Sequence, residues 1–330
     1  MNALRRTVLK YALGTSSGLG IFSSRAWPQD LAYPDKPIRM IVPGLPGGGL
    51  DIVVRLLSAK LTEAWGQGIV IENRAGSSGI AATELAAKAR PDGFTLFAGY
   101  TATHAVNSSL FKHLPYDPIK DFSPIALLVS TPLVLLVHPG VQARTVKELI
   151  DLAKQRPEPM AFASNGNGTA SHLAGELLKS RTGVKFLHVP YKGSAQALAD
   201  LLSGNVSILF DNLVSSLPQV QSGRLRALAV TDRTRSQLLP NVPTMIEGGV
   251  ADFEATNWYG ILAPAGTPQP IIAKWNRELL RILQLPDIRA KLIGLGADIK
   301  GSTPGEFAQF IKDESSRYSL LIKESGAAVD

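Results

Sequence analysis

The sequence predicts an α/β fold of two lobes that are built from interleaved parts of the chain. Short β-branched runs alternate with amphipathic segments, a pattern typical of parallel strands joined by crossover helices. A chain of 330 residues, 45% of them apolar, is long enough to form two lobes. Two long extended segments, 122–137 and 257–264, could cross between the lobes and form a hinge. We therefore expect one lobe from 33–130 and 258–330, a second from 131–257, and a ligand cleft between them.

The elements follow from local patterns along the chain. We predict strands at 38–42, 69–72, 95–98, 133–137, 160–163, 186–189, 206–210, 225–230 and 259–262. We predict helices at 51–65, 81–89, 146–155, 170–181, 195–202, 214–221, 269–283, 286–295 and 304–324. Thr145 and Thr303 are each followed three residues later by a glutamate, which is the capping-box signature of a helix start.

Residues 1–26 have the pattern of an export signal. Arg5 and Arg6 precede Val-Leu-Lys and a short apolar stretch rich in Gly and Ser, and small residues end the segment at Ala26. The paired arginines predict the twin-arginine route. A basic cap on a core helix or a membrane anchor is the alternative, although the stretch is short for a bilayer span.

Charge and cysteine content exclude several function classes. Beyond the first 26 residues the chain has 30 basic and 27 acidic residues, without a basic stripe interleaved with aromatics, so we predict no nucleic-acid partner. The chain contains no cysteine, which excludes thiol catalysis and is compatible with an oxidising compartment. Its five histidines lack the close spacing of a metal site. We therefore predict no metal and no cofactor.

A glycine-rich turn links the first predicted strand to the first predicted helix. Residues 43–51 read Pro-Gly-Leu-Pro-Gly-Gly-Gly-Leu-Asp. A strand that passes through glycines into a helix leaves unpaired backbone N–H groups beside the positive end of the helix dipole, which predicts a small-anion site. A nucleotide phosphate loop is excluded, because Leu50 and Asp51 stand where that loop needs Lys and Ser or Thr.

A second turn repeats this arrangement in the other predicted lobe. Residues 164–169 read Ser-Asn-Gly-Asn-Gly-Thr and again join an apolar strand to a helix. Two such turns at matching junctions predict two walls of one cleft. The alternative is a pair of tight turns with helix caps, among them Asp51 and Thr169.

The sequence lacks clear patterns of a catalytic site. The G-x-S-x-G elbow of hydrolases is missing, and the neighbours Ser171 and His172 point about 100° apart on a predicted helix. Asp211 ends a predicted strand, where it could orient a ligand or cap the next helix. Lys192 lies in a predicted turn, where it could pair with an anion or simply be solvated. No activated nucleophile is recognisable, so we do not predict an enzyme.

Ordered segments throughout the mature chain carry a family resemblance. They read YPDKPIRMIVPGLPGGGLDIVVR, IENRAGSSG, ARPDGFTL, LPYDPIKDFSPI, ASNGNGTASHLAGELL, HVPYKGSAQALADLLSGNV, FDNL, GRLRALAVT, LPNVPTMIEGGV, WYGILAPAGTP and TPGEF. In these segments the chain resembles the Bug/TctC family of periplasmic solute-binding proteins, which serve tripartite tricarboxylate transporters. The resemblance implies a periplasmic-binding-protein fold of the type II-like, Venus-flytrap kind, with interleaved domains and two hinge crossings that close over a small carboxylate.

The resemblance also implies which residues contact the ligand. In the two glycine turns these are Gly47, Gly48, Asp51, Ser164, Asn165, Gly168 and Thr169. Asp211 would line the wall of the cleft, and Tyr100, Thr101 and His104 match positions where ligand contacts vary within the family.

Three positions depart from the family pattern. Gly44 replaces a usual Phe, Leu50 stands where Thr, Ser or Ala is common, and Ile80 replaces a frequent Asn. Because two of these changes replace polar side chains by apolar ones, our hypothesis is a ligand less polar than citrate, such as an aromatic or aliphatic monocarboxylate.

The sequence as a whole therefore predicts an exported, monomeric receptor in the periplasm. It would capture a small carboxylate and deliver it to the membrane subunits of a tripartite tricarboxylate-type transporter. Two alternatives remain open: a hydrolase or transferase of a carboxylated substrate with His172 or Asp211 as base, and a ligand sensor without transport.

Overall fold

The computed structural model describes residues 33–325 and 327. The chain divides into two units at Tyr33, and the second, Pro34–Asp330, is compact. The export signal expected at 1–26 lies outside the described residues, so the architecture below is that of the second unit. Among the described residues, every helix is too short or too polar to span a bilayer.

Strands and helices alternate along most of the chain. The strands are β1 (Ile38–Pro43), β2 (Ile69–Arg74), β3 (Thr95–Tyr100), β4 (Phe122–Val137), β5 (Met160–Ser164), β6 (Phe186–Pro190), β7 (Ile208–Asn212), β8 (Arg226–Val230), β9 (Thr256–Pro264) and β10 (Asp298–Ile299). The helices are α1 (Gly49–Trp65), α2 (Ile80–Ala87), α3 (Asn107–Leu110), α4 (Val146–Gln155), α5 (Ala170–Thr182), α6 (Ser194–Ser203), α7 (Leu213–Gln221), α8 (Gln269–Leu283), α9 (Pro286–Gly294) and α10 (Pro304–Ser325).

The strands form one hydrogen-bonded path in the order β2-β1-β3-β9-β4-β7-β5-β6, and β10 and β8 also pair with β4. β1 is parallel to β2 and β3, and β5 is parallel to β6 and β7, as expected for strands joined by crossover helices. β9 is antiparallel to both β3 and β4.

Strand β4 belongs to two sets of strands. Its residues 122–132 pair with β9, whereas Leu133–Val137 pair with β7 and β8. We call β1, β2, β3, β9, β10 and residues 122–132 the first half-sheet, and β5–β8 with residues 133–137 the second half-sheet. The extended run read from the sequence is thus a single strand that links the two.

The chain returns to the first half-sheet between β8 and β9. The Ala255 N–H donates to the Thr231 carbonyl at 3.2 Å, and the Leu133 N–H donates to the Thr231 hydroxyl at 2.9 Å, so this return lies directly beside β4. A further link was not predicted. The Ser180 hydroxyl of α5 donates to the Glu324 carbonyl of α10 at 3.1 Å, so the last helix contacts a helix that connects two strands of the second half-sheet.

Residues 102–110 were predicted as neither helix nor strand. They form a π-helical turn, Ala102–Val106, followed directly by α3, and all five residues of that turn are buried. Burial of every face removes the alternation of polar and apolar residues on which a sequence-based assignment depends.

Helix α5 lies against β5 at a position where only glycine fits. A Cβ added at Gly175 would lie 2.1 Å from the ring of Phe162, which is fully buried. The packing of this helix fixes where its first turn stands, and that turn begins at the second glycine-rich loop.

We expect Gly175→Ala to lower the free energy of unfolding by about 1–3 kcal/mol, because the added methyl overpacks the core even though alanine favours helix by about 1 kcal/mol. Urea denaturation measures the change. Gly305→Ala in α10 is the matched control, since nothing lies within 4 Å of its Cβ position, and it should leave stability unchanged or raise it. Equal effects at both sites would contradict this account of α5 packing.

Candidate functional site

A cavity of about 290 Å³ lies at the carboxyl ends of the parallel strands. Five helices begin at its wall, with first-turn or capping residues Gly49 of α1, Gly79 of α2, Ala170 of α5, Ser194 of α6 and Asn212 of α7. The N-terminus of each helix carries roughly half a positive charge and up to four unpaired N–H groups. The cavity therefore suits an anion bound by backbone amides.

The first glycine-rich loop needs glycine at particular positions. Gly44 and Gly47 have φ of 136° and 82°, which side-chain-bearing residues rarely adopt. A Cβ at Gly49 would lie 2.5 Å from the hydroxyl oxygen of Tyr259. These glycines allow the backbone to approach the cavity and the strand beneath it.

Asp51 holds this loop in place. Its carboxylate is 3% exposed and accepts hydrogen bonds from the Gly47 N–H at 2.9 Å and from the Asn73 side chain at 3.0 Å. Arg55, one turn further along α1, donates to both carboxylate oxygens. Burial opposes ionisation, but the hydrogen bonds outweigh it and the pKa of Asp51 lies below its usual value. The helix cap itself is Gly48, so Asp51 orders the loop rather than capping α1.

The second glycine-rich loop has a comparable internal framework. Gly166 and Gly168 have φ of 126° and 74°. Thr169 caps α5: its hydroxyl donates to the Gly166 carbonyl at 2.7 Å and accepts from the His172 N–H at 3.3 Å. Thr169 thus caps α5, as expected, and also lines the cavity.

Two stacked histidines support this second loop. The rings of His172 and His188 lie 4.2 Å apart, and His172 Nδ1 accepts from the Gly168 N–H at 3.1 Å. His188 Nε2 lies 2.6 Å from the hydroxyl of Ser164. Burial, together with the charge of Lys179, lowers the pKa of both rings to about 4. Both histidines are therefore neutral at pH 7, as the bond from Gly168 to Nδ1 requires.

Asp211 is fully buried behind the loop. It accepts hydrogen bonds from the Ser194 hydroxyl at 2.6 Å, the Ser215 hydroxyl at 2.8 Å and the Asn165 amide at 2.9 Å. Burial raises the pKa of this carboxyl, while the three donors oppose the rise. Through Ser194 and Asn165, Asp211 fixes two residues that do line the cavity.

Polar residues line the cavity on several sides. The Tyr100 ring lines it, and burial raises the pKa of that phenol, so it remains a protonated donor. Asn212 and Asn257 meet at the junction of the half-sheets, where the Asn257 amide donates to the Asn212 side-chain oxygen at 2.9 Å. Lys192 is exposed and supplies the only Lys or Arg side chain among the described residues that line the cavity.

The predicted site residues divide into two groups. Those that line the cavity are Gly48, Asp51, Tyr100, Asn165 and Thr169. Those outside its lining are Gly47, Thr101, His104, Ser164, Gly168 and Asp211. Gly47, Ser164, Gly168 and Asp211 nevertheless make hydrogen bonds that hold lining residues or the two loops.

Thr101 and His104 lie in the core instead. Both are fully buried, and the Thr101 hydroxyl accepts from the backbone N–H of Trp258 at 3.1 Å. The His104 ring packs against Phe97 and Phe122, and burial lowers its pKa to about 3. Only Tyr100 of the predicted variable segment reaches the cavity, because the π-helical turn carries the following side chains inward.

Two further loops line the cavity and were missing from the predicted site. Residues 76–79 join β2 to α2, and residues 190–194 join β6 to α6. Both have the same strand, glycine and helix order that singled out the two predicted loops. Applying that signal at every parallel strand would have found them.

Two of the three residues behind the hypothesis of a less polar ligand lie outside the cavity lining. Leu50 is 7% exposed and outside the cavity lining, and Ile80 packs against the core. Gly44 does line the cavity. Apolar lining comes instead from residues such as Leu45 and Phe111. Among the described residues, no group of three His, Cys, Asp or Glu side chains could hold a metal ion.

Comparisons with known proteins agree with this geometry. The model of a family described as the tripartite tricarboxylate transporter family receptor, TctC, matches residues 53–327. The periplasmic binding protein BugD has a similar structure, with 33% identity and a TM-score of 0.86 over 90% of this chain and 99% of BugD.

Two similar structures contain a ligand. A protein of R. palustris with adipate is 36% identical, with a TM-score of 0.88 over 90% of this chain and 99% of the other. MatC from Rhodopseudomonas palustris with bound malate is 34% identical, with a TM-score of 0.84 over 88% of this chain and 100% of MatC.

We expect Asp51→Ala to weaken anion binding about tenfold or more, because the Gly47 N–H and Asn73 lose their shared acceptor and the first loop loosens. Titration calorimetry with adipate measures the affinity. Asp151→Ala removes an exposed carboxylate that pairs with Lys147 on α4, and it serves as the control. The account of Asp51 fails if the two variants bind equally well.

The buried histidines predict acid sensitivity. Their pKa values in the fold lie below the ordinary value of 6.5, so the unfolded chain binds protons first and the free energy of unfolding falls as pH drops from about 6.5 to about 4. Urea titrations at several pH values measure this slope. His172→Gln should reduce it, whereas replacing the exposed His113 by Gln should not. A slope unchanged by His172→Gln would rule out this role.

Proposed function

Because the chain belongs to the family of tripartite tricarboxylate transporter receptors, we propose that it captures a small dicarboxylate in this cavity and delivers it to the membrane subunits of such a transporter. The family consists of solute-binding receptors rather than enzymes, and the fold is that of periplasmic binding proteins. Capture requires affinity and closure but no chemical step.

One observation carries the proposal: five helices begin at the wall of a single cavity. Their unpaired N–H groups and aligned dipoles favour an anion, and Tyr100 offers a hydroxyl donor beside them. Backbone amides bind carboxylate oxygens well without a paired cation, because the charge-assisted hydrogen bonds are short and strong. One carboxylate of the ligand would occupy this end.

Lys192 supports the choice of a second carboxylate. Among the described residues lining the cavity, it is the only cation, and the one lining carboxylate, Asp51, already pairs with Arg55. A second anionic group on the ligand would give Lys192 a partner. The adipate and malate bound by the two similar structures are dicarboxylates, so this ligand class replaces our initial hypothesis of a monocarboxylate.

We further propose that the two half-sheets are the cores of the two lobes. β4 and the return segment between Thr231 and Thr256 would act as the hinge, since they are the two crossings that run through the sheet. The ligand would add contacts from the second lobe as it closes. The hydrogen bond between Ser180 of α5 and Glu324 of α10 would limit how far the lobes separate.

Export and assembly complete the proposal. The paired arginines at positions 5 and 6 support the twin-arginine route to the periplasm, and the receptor would act there as a monomer. A fusion of residues 1–40 to a reporter that matures only after twin-arginine export tests the route, with Arg5→Lys combined with Arg6→Lys as the control.

The ligand class can be tested with two probes of equal length. Adipate and hexanoate share a six-carbon chain but differ in the second carboxylate, and adipate at 100 times its dissociation constant should stabilise the protein by about 2.7 kcal/mol. Lys192→Met should weaken adipate binding about 2- to 5-fold and leave hexanoate binding unchanged, because only adipate carries the partner of this exposed lysine.

Thermal shift and calorimetry measure both effects, and Lys185→Met at an exposed lysine outside the cavity is the matched control. Intact adipate recovered after long incubation supports a receptor. Preference for hexanoate over adipate would reject the dicarboxylate, and absence of any carboxylate binding would reject the proposed function itself.

A further inference from the structure

Ser78 has a backbone conformation that L-residues rarely adopt. Its φ and ψ are 56° and 28°, within the left-handed region. Among the described residues other than glycine, only Asp252, with φ of 51°, also has a positive φ. Asp252 is exposed, whereas Ser78 is 7% exposed and lines the cavity. Glycine would adopt this conformation more readily, so the structure holds a serine here at some cost.

The serine hydroxyl makes a contact that glycine could not make. It donates to the backbone carbonyl of Asn167, which belongs to the second glycine-rich loop. Ser78 lies between β2 and α2 of the first half-sheet, and Asn167 lies between β5 and α5 of the second. This hydrogen bond therefore joins the two sides of the cavity.

The backbone of Ser78 is anchored on its own side. Its carbonyl accepts from the Asn107 amide at 3.1 Å, and the same amide donates to the Tyr116 hydroxyl at 3.0 Å. Tyr116 in turn donates to the Thr103 carbonyl at 2.9 Å, and all of these partners are buried. The left-handed turn is thus fixed from behind and presents the hydroxyl to the opposite loop.

The second glycine-rich loop also lies close to apolar residues of the first half of the molecule. A Cβ at Gly168 would lie 2.8 Å from Leu110, the last residue of α3, and 3.5 Å from Phe111, which follows α3. On another side of the cavity, a Cβ at Gly193 would lie 3.6 Å from the backbone nitrogen of Leu45. The Ser78 bond is the polar member of these contacts between the halves.

We propose that Ser78 is the positioning residue that latches the closed cleft, and that its hydroxyl sets how slowly the ligand leaves. The inference rests on the proposed function for the meaning of closure, but not for the bond itself. Loss of the hydroxyl removes a hydrogen bond present only in the closed form. Dissociation should therefore accelerate about 2- to 10-fold, while association is unchanged or faster because more of the unliganded protein is open.

The test uses three variants of the full chain. Ser78→Ala removes the hydroxyl but keeps the backbone strain. Ser78→Gly removes the hydroxyl and relieves the strain. Asp252→Gly relieves a similar backbone strain at a residue outside the cavity lining. Stopped-flow binding of adipate measures both rate constants. We expect the dissociation rate constant to rise in both Ser78 variants and to stay unchanged in Asp252→Gly. A lower dissociation rate in Ser78→Gly would show that strain matters and the hydroxyl does not, which would overturn the latch.

A second measurement does not depend on any ligand. The chain contains no cysteine, so Lys112→Cys and Ala199→Cys, at exposed positions on the two halves, accept spin labels specifically. Pulsed dipolar spectroscopy of the unliganded protein should show longer distances in Ser78→Ala and Ser78→Gly than in the parent or Asp252→Gly. Distances independent of residue 78 would overturn the latch, whereas failure of adipate to bind would count only against the proposed function.

Discussion

The unpaired amides at the carboxyl edge of the parallel strands are the constraint on which the site depends. Each crossover helix that follows a parallel strand begins at this edge, so its first N–H groups have no partner within the helix. Five helices begin at one cavity here, and their dipoles add at the same place. Hydrogen-bonding groups that the helices themselves leave unpaired thereby make this cavity suited to an anion.

Buried polar residues hold these amides in position. Asp51 orders the first loop, the stacked His172 and His188 support the second, and Asp211 fixes Asn165 and Ser194 behind it. Each group is costly to bury, and each finds its partners in the loop that it supports. Asp51, His172, His188 and Asp211 therefore hold the backbone of the two loops, whereas Lys192 is exposed at the cavity wall.

Much of the architecture could be predicted from local patterns, because strand and helix periods and capping boxes are local properties. The helix at 269–283 was predicted with its observed bounds, and β4 was anticipated as an extended run. The π-helical turn Ala102–Val106 was missed because its residues are buried on every side. His104 was predicted to contact the ligand, but its side chain is buried in the core. The π-helical turn sets that direction, and the spacing of residues in the sequence does not reveal it.

The sequence by itself determined the family, the fold class and the two glycine-rich loops, since each follows from short ordered segments. Only the tertiary structure decided which residues line the cavity. It kept Tyr100 but not Thr101 or His104 at the cavity, left Leu50 outside the lining, and placed the Ser78 hydroxyl against Asn167. The contact between Ser78 and Asn167 joins residues that are 89 positions apart in the sequence. Such long-range packing is set by the whole core rather than by any local pattern.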